Sequence, residues 1–318
     1  MVLIKNEDKV KSQLVFKGIF HREYYAAHCM SGRSTILHDF SMIQKPNVLH
    51  YETHLKSEDS EWLLMIHGAG GSTRTWKRQI KRLSQHFNLL VIDLPGHGLS
   101  ALQPSKDDEY TFSVISHRVW EVVDHLKIDQ VHVLGVSLGA IIALRVEQLY
   151  NHRVKSVVLA GAIVQLNRKL KIIASTSLFL AKLIGYRAFY KIAARIALPR
   201  KNHKTSRDVF IRESAFLTTD EFRKWTEMYR SLNITLKELY TEATNAPRLL
   251  LMGDQDHLFL NPAMEYVKRR ANSILKVFPK CGHVVNIEQA EAFNEQCIEF
   301  IHEVTGRGPI PDLSLEKG

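Results

Sequence analysis

The sequence predicts an α/β fold with a mostly parallel sheet, helices on both faces and an inserted helical cap. Short apolar runs alternate with helical stretches over residues 62–162 and again over residues 248–304. Such alternation is typical of a parallel sheet that is covered on both faces. Between the two blocks, residues 163–240 have a helical pattern without a convincing strand. This second observation predicts an insertion rather than a continuation of the sheet.

The same patterns divide the chain into segments. We expect an N-terminal extension at 1–45, an α/β core at 46–162 and 241–306, a cap at 163–240 and a loose tail at 307–318. A chain of 318 residues suits one large α/β domain with such an insertion.

Each expected strand is a short apolar run bounded by turn-forming or polar residues. In chain order the strands are Asn47–His54, Trp62–Ile66, Leu89–Ile92, Val131–Leu134, Val154–Leu159, Arg248–Met252 and Leu275–Phe278. Ser57–Ser60 reads as a hairpin turn between the first two.

Each expected helix has apolar residues at helical spacing. The helices of the core are Trp76–His86, Phe112–Leu126, Ala140–Leu149, Pro262–Arg270 and Glu288–Val304. Leu14–Met30 has a weaker helical pattern within the N-terminal extension.

Composition argues against several classes of protein. Three widely spaced cysteines do not suggest a disulfide framework. Sixteen histidines occur without an HExxH or similar spacing, so we expect no metal and no cofactor. No apolar run reaches the roughly 18 residues of a membrane span, and the N-terminus lacks the apolar segment of a secretory signal. A cytoplasmic location is therefore expected.

The positive charge is concentrated in the predicted cap. Ile163–Arg207 contains eleven Lys or Arg and no Asp or Glu. Over Ile163–Tyr240, sixteen basic and six acidic side chains account for a net charge equal to the +10 of the whole chain. An acidic acyl carrier protein, an anionic lipid surface or an anionic substrate would complement this face, and a merely solvated lid surface is the alternative. Nucleic acid is not expected, because no recognition motif accompanies the charge. The oligomeric state stays open.

The segment Gly135–Gly139, with the sequence GVSLG, lies between a predicted strand and a predicted helix. A serine at the apex of such a turn is lifted above the sheet edge, and the glycines avoid collisions with neighbouring backbone. Ser137 is therefore the candidate nucleophile. Taken alone, the pentapeptide is also compatible with a simple turn.

A serine nucleophile needs a base, and the base needs an acid to orient it. His283 follows Gly282 in the loop after the last strand, and we favour it over the competing histidines, which are His67, His97 and His257. Asp256 follows the penultimate strand and is favoured over Asp254, because a few more loop residues let its carboxylate turn toward the histidine.

The oxyanion of an acyl-transfer reaction needs backbone N–H donors. Leu138 directly follows the serine at a helix start, where the dipole is positive. Ala69 is the second expected donor, in the loop His67–Gly71. A flexible glycine loop is the alternative interpretation of that segment.

Four ordered motifs resemble the α/β-hydrolase superfamily, of the type that bears a helical cap. They are HGAGG at His67–Gly71, DLPGHGLS at Asp93–Ser100, GVSLG at Gly135–Gly139, and GDQD at Gly253–Asp256 together with Gly282-His283. The order serine, aspartate, histidine also differs from the orders of the chymotrypsin and subtilisin folds.

The resemblance implies Ser137 as nucleophile, His283 as base, Asp256 as its partner, and Ala69 and Leu138 as oxyanion donors. It also implies that His67 orders the oxyanion loop and that the Asp93–Ser100 loop is structural. The first forty or so residues have no place in the family core.

The expected activity is hydrolysis of carboxylic esters, including acyl esters, through an acyl-enzyme. A serine at position 137 disfavours haloalkane dehalogenases and soluble epoxide hydrolases, which resemble this fold but use an aspartate there. A thioesterase, a lactonase or a carbon–carbon bond hydrolase remains open. So does a receptor or signalling protein that retains the triad, because fold alone does not decide function.

Overall fold

Seven strands form one sheet in the computed structural model, which describes residues 48–103, 107–166, 170–172, 176, 184–241 and 245–306. The strands are β1 (Tyr51–His54), β2 (Trp62–Ile66), β3 (Asn88–Ile92), β4 (Val131–Val136), β5 (Val154–Ala160), β6 (Arg248–Gly253) and β7 (Ser273–Phe278). Their spatial order is β1-β3-β2-β4-β5-β6-β7, and every neighbouring pair is parallel except β1 with β3. The predicted α/β fold with a mostly parallel sheet is confirmed.

Helices flank the strands and fill the insertion. In the core they are α1 (Lys77–Leu83), α2 (Phe112–His125) and α3 (Leu138–Leu149). Between β5 and β6 lie α4 (Tyr186–Ala197), α5 (Lys204–Ser214), α6 (Thr219–Met228) and α7 (Leu232–Thr241). The core continues with α8 (Leu260–Lys268), α9 (Val285–Glu288) and α10 (Ala290–Val304). The expected extension at 1–45 with its helix Leu14–Met30, and the expected tail at 307–318, lie outside the described residues.

The hairpin predicted between β1 and β2 is wrong. The chain does turn at Ser57–Ser60, where the N–H of Ser60 donates to the carbonyl of Ser57 at 3.2 Å. However, β3 lies between β1 and β2, and Tyr51 pairs with Ile92 instead. Local turn residues indicate a reversal of the chain, but strand pairing is decided by long-range contacts that the turn does not encode.

Strands β2 to β6 are buried and largely apolar because helices cover both faces of the sheet. The edge strands β1 and β7 are partly exposed and carry polar side chains. Successive side chains of a strand point to opposite faces. Leu64 and Ile66 of β2 accordingly pack on the α2 and α3 side, whereas Leu63 and Met65 pack on the α1 and α10 side. The carboxyl-terminal edge of this sheet carries the loops after β2, β4, β5, β6 and β7.

Candidate active site

Ser137 occupies a strained turn between β4 and α3. Its φ is +54° and its ψ is −112°, in a region that non-glycine residues rarely adopt. A Cβ at Gly135 would overlap the backbone of Gly139, and one at Gly139 would overlap the carbonyl oxygen of Ile66. The strand and the helix can therefore approach closely only with glycine at both positions, and the serine side chain is presented at the apex.

The loops after β6 and β7 bring an acid and a histidine to this serine. Nε2 of His283 lies 2.9 Å from Oγ of Ser137, and Nδ1 of His283 lies 2.7 Å from Oδ2 of Asp256. His283 and Asp256 are both buried. If Nδ1 donates to the carboxylate, Nε2 has a lone pair that can accept the serine proton. The arrangement can therefore activate a hydroxyl.

The carboxylate of Asp256 stays ionised despite its burial. Burial acts to raise its pKa, but the neighbouring His283 and two amide N–H groups outweigh this effect and hold the pKa below its usual range. Those amides belong to Leu258 and Phe259, which donate to Oδ1 at 3.2 and 3.1 Å. An anionic Asp256 can orient the imidazole and stabilise its protonated form.

The other acid and the other histidines that the sequence offered as candidates have different environments from Asp256 and His283. Asp254 is exposed, and its Oδ1 accepts a hydrogen bond from the N–H of Cys281 at 3.1 Å. His257 is also exposed. His67 and His97 are fully buried, and neither is hydrogen-bonded to Ser137 among the described residues. Of these candidate histidines, His283 is the one placed to take a proton from the serine.

The loop after β2 lies against the serine and presents backbone amides. A Cβ at Gly68 would lie 3.4 Å from the Cβ of Ser137. The N–H of Gly70 donates to Nε2 of His97, and the N–H of Gly71 donates to the carbonyl of Gly68, both at 3.0 Å. The N–H groups of Gly70 and Gly71 are thus occupied. In the described part of the chain, the N–H of the neighbouring Ala69 is the one of these three that can donate a hydrogen bond to a ligand. Leu138 supplies a second amide, at the N-terminal end of α3.

Two buried histidines hold this loop in place. Nε2 of His67 accepts a hydrogen bond from the N–H of Leu94 at 3.0 Å, and its Nδ1 lies 2.8 Å from the carbonyl of Gly68. The rings of His67 and His97 are 5.0 Å apart. Burial lowers the pKa of both groups, that of His97 to about 3, so both are neutral at physiological pH.

The loop after β3 is organised around Asp93. Its Oδ1 accepts from the N–H of Thr73 at 2.7 Å and its Oδ2 accepts from the N–H of Leu99 at 2.8 Å. Gly98 has a φ of +48°, and a Cβ there would overlap the Asp93 carboxylate. The carboxylate thus ties together the loops after β2 and β3.

The inserted helices contact the loops that carry the site. A Cβ at Gly70 would lie 2.9 Å from Cβ of Ser214 in α5 and 3.1 Å from the ring of Tyr190 in α4. His203, just before α5, packs its buried ring against Gly282, next to His283. Glu213 of α5 accepts hydrogen bonds from Ser72 at 2.9 Å and Arg74 at 2.8 Å, which join this helix to the segment after β2.

Sequence reasoning did not assign the roles of three residues that shape the site. Gly161 follows β5 with a φ of +52°, and a Cβ there would overlap the carbonyl oxygen of His283. Gly253 ends β6, where a Cβ would overlap the carbonyl oxygens of Cys281 and Gly282. His97 holds the loop after β2 through the N–H of Gly70 rather than lying beside Ser137 as a base. The positions of Gly161 and Gly253 at strand ends were a signal in the sequence that a side chain is not tolerated there. The role of His97, in contrast, depends on a long-range contact.

The described residues contain no group of three or more His, Cys, Asp or Glu side chains arranged to hold a metal ion. Within the same described ranges, no helix is long and apolar enough to cross a membrane. Cys281 and Cys297 are buried, and burial raises the pKa of both thiols, so neither is a reactive thiolate.

The amino-acid sequence is similar to a known protein family and to several characterised proteins. A profile of the alpha/beta hydrolase family matches residues 63–296. A 2-hydroxy-6-oxo-6-phenylhexa-2,4-dienoate hydrolase of Burkholderia cepacia is 24% identical over 286 residues, covering 82% of this chain and 95% of that protein. The acetyltransferase component of an acetoin cleaving system of Pseudomonas putida is 26% identical over 261 residues, covering 78% of this chain and 65% of that protein.

A solved structure has the same fold. The enol-lactonase from Burkholderia xenovorans superimposes with a TM-score of 0.68 at 21% sequence identity, covering 80% of this chain and 96% of that chain. At this level of identity the likeness concerns the fold and leaves the choice of substrate to the residues of the site.

Proposed function

The chain belongs to the alpha/beta hydrolase family, and we propose that it hydrolyses carboxylic esters with Ser137 as the nucleophile. The observation that carries this proposal is the hydrogen-bond relay from Ser137 through His283 to Asp256, with distances of 2.9 and 2.7 Å. A relay of this geometry is suited to generating a serine nucleophile at neutral pH.

The proposed first step forms an acyl-enzyme. Oγ of Ser137 bonds to the carbonyl carbon of the ester while its proton moves to Nε2 of His283. The carbonyl oxygen becomes an oxyanion that accepts hydrogen bonds from the N–H groups of Ala69 and Leu138. His283 then gives its proton to the alcohol oxygen as the carbon–oxygen bond breaks, and the alcohol leaves.

The second step returns the enzyme to its starting state. A water molecule gives a proton to His283 and attacks the acyl carbon, and the bond to Ser137 breaks as Oγ recovers that proton. Asp256 remains ionised and stabilises the imidazolium in both steps. Loss of one oxyanion donor would raise the barrier by about 2.7–4 kcal/mol.

The experiment combines turnover with covalent labelling. p-Nitrophenyl esters of increasing acyl length would measure kcat/KM, and a fluorophosphonate probe followed by peptide mapping would locate the reactive residue. Ser137→Ala should abolish labelling and lower kcat by on the order of 10⁶. Ser84→Ala, at the end of α1, is the matched control and should leave both unchanged.

Persistent labelling or turnover in Ser137→Ala would contradict the proposal. Labelling of Ser137 without turnover of any ester would favour a receptor or signalling role that retains the triad. The acyl-length profile would also indicate the size of the acyl pocket. A cytoplasmic location stays a prediction from the sequence.

Carbon–carbon bond hydrolysis is the second candidate, favoured by the Burkholderia cepacia relative. The two activities are distinguished by assaying 2-hydroxy-6-oxo-6-phenylhexa-2,4-dienoate beside the p-nitrophenyl esters. Preference for the dienoate by kcat/KM would replace the ester proposal with this one. Thioesters and lactones in the same panel test the remaining alternatives.

A further inference from the structure

Helix α4 exposes an apolar stripe on the outside of the protein. Ile192 and Ile196 are 38% and 41% exposed, at i and i+4 positions that share one helix face. Tyr190 and Ala194 of the same helix are buried. Each isoleucine is two residues beyond a buried one, which is about 200° of rotation around the helix axis. The stripe therefore points away from the protein core.

A row of cations runs beside this stripe. Arg187, Lys191 and Arg195 are spaced four residues apart and are all exposed. None of the three forms a salt bridge within the described ranges. Helix α4 thus has a buried apolar face, an outward apolar stripe and a row of cations between them.

The segment that contains α4 has no acidic residue of its own. From Ile163 to Arg207 the chain has eleven Lys or Arg and no Asp or Glu. Ile172, in the same segment, is 64% exposed. Exposed isoleucines beside Arg187, Lys191 and Arg195 match an interface that is anionic at its surface and apolar beneath.

We propose that the outward face of α4 docks on an anionic phospholipid bilayer. In this arrangement Arg187, Lys191 and Arg195 lie against lipid phosphates, and Ile192 and Ile196 enter the boundary between headgroups and acyl chains. An acidic carrier protein would complement the positive charges, but the isoleucines on the helix face opposite the core favour a lipid surface. The inference concerns attachment and is independent of which bond Ser137 cleaves.

Vesicle sedimentation of the full chain tests this docking. The probes are vesicles of phosphatidylcholine with phosphatidylglycerol and vesicles of phosphatidylcholine alone, at low and high salt. Binding should require phosphatidylglycerol and weaken with salt. R187E/K191E/R195E and I192S/I196S should each lower the partition coefficient at least tenfold.

The control variant has the same change in net charge at a distance from α4. K81E/R269E/K276E replaces exposed residues on α1, after α8 and on β7, and it should retain most of the vesicle binding. Hydrolysis of a water-soluble ester without vesicles should be equal in all these variants, and thermal unfolding checks that each is folded. Failure to bind vesicles is therefore distinguishable from failure of the active site.

Four outcomes would overturn the proposal. The first is absence of binding to anionic vesicles. The second is an equal loss of binding in the K81E/R269E/K276E control, which would indicate attraction by net charge alone. The third is unchanged vesicle binding in I192S/I196S, which would mean that the isoleucines do not enter the bilayer. The fourth is capture of an acidic acyl carrier protein in place of vesicles, which would assign the cations to a protein partner.

Discussion

Nε2 of His97 accepts a hydrogen bond from the backbone N–H of Gly70 at 3.0 Å. Its Nδ1 donates to the carbonyl oxygen of Pro95 at 2.9 Å, which makes the ring a neutral bridge between the loops after β2 and β3. The indole of Trp225 in α6 packs edge-on against it, with centroids 5.1 Å apart. One buried imidazole thus connects the loop after β2, the loop after β3 and helix α6.

Removal of this bridge should slow catalysis without touching the reacting groups. In His97→Ala the loop carrying the Ala69 amide loses a fixed anchor, and misplacement of an oxyanion donor acts mainly on the transition state. We expect kcat to fall at least tenfold with a smaller change in KM, measured with a p-nitrophenyl ester. The exposed His257→Ala is the control. An unchanged kcat in a folded His97→Ala protein would contradict the role of the bridge.

The same histidine should make stability depend on pH. Its pKa is about 3 in the folded protein because of burial, against about 6.5 in an unfolded chain. Between these values the unfolded state binds the extra proton, so the stabilisation is complete above pH 6.5 and is lost as pH falls. The expected slope for this group is about 1.4 kcal/mol per pH unit.

Urea unfolding at pH 7, 6, 5 and 4 measures this slope. His97→Ala should have a shallower decline than the unaltered protein, whereas His257→Ala should keep it. His67 contributes in the same direction, because burial also lowers its pKa. An equal slope in His97→Ala and the unaltered protein would mean that the pKa of His97 is not lowered in the folded state.

Gly161 should be intolerant of a side chain because of His283. A Cβ at Gly161 would overlap the His283 carbonyl oxygen and lie 3.2 Å from the ring Nδ1. Gly161→Ala should therefore shift the imidazole and lower kcat at least tenfold, since small misplacements of reacting groups are costly. Gly306→Ala is a matched control, because its φ of +70° is equally unfavourable for alanine but, apart from its chain neighbours, no described residue has an atom within 4 Å of the added Cβ. Equal kcat values for the two variants would contradict this reasoning.

Arg248 and Glu147 form a buried ion pair that should matter for stability rather than activity. Nη2 of Arg248 donates a hydrogen bond to Oε1 of Glu147 at 2.8 Å, and Nε of Arg248 donates one to Oε2 of Glu147 at 3.0 Å. Both residues are almost completely buried. Nη1 also donates to the hydroxyl of Tyr266 at 2.9 Å. Glu147→Ala would leave an unpaired buried charge, which typically costs about 3–5 kcal/mol.

The free energy of unfolding in urea measures this cost. The control is Glu295→Ala, which breaks a more exposed pair with Arg82. That variant should lose much less stability, because water and salt screen an exposed pair. A similar loss in the two variants would show that the buried pair stabilises the protein no more than the exposed pair does.

The order of elements in the core could be predicted because its signals are local. The expected strands Trp62–Ile66, Val154–Leu159 and Arg248–Met252 agree with the observed ones within one residue at each end. The hairpin expectation failed because β3 separates β1 from β2. Apolar runs identify strands, whereas the partner of each strand depends on how the helices pack over the sheet.

The amino-acid sequence by itself determined the chemical groups of the candidate site and the kind of turn that presents Ser137. These depend on residue types at short spacing and on the rule that parallel strands end at one edge of the sheet. Only the tertiary structure decided that His97 anchors Gly70, that Gly161 accommodates His283 and that Ile192 and Ile196 point outward. The physical reason is that burial and hydrogen-bond partners arise from contacts between distant segments, which no local pattern specifies.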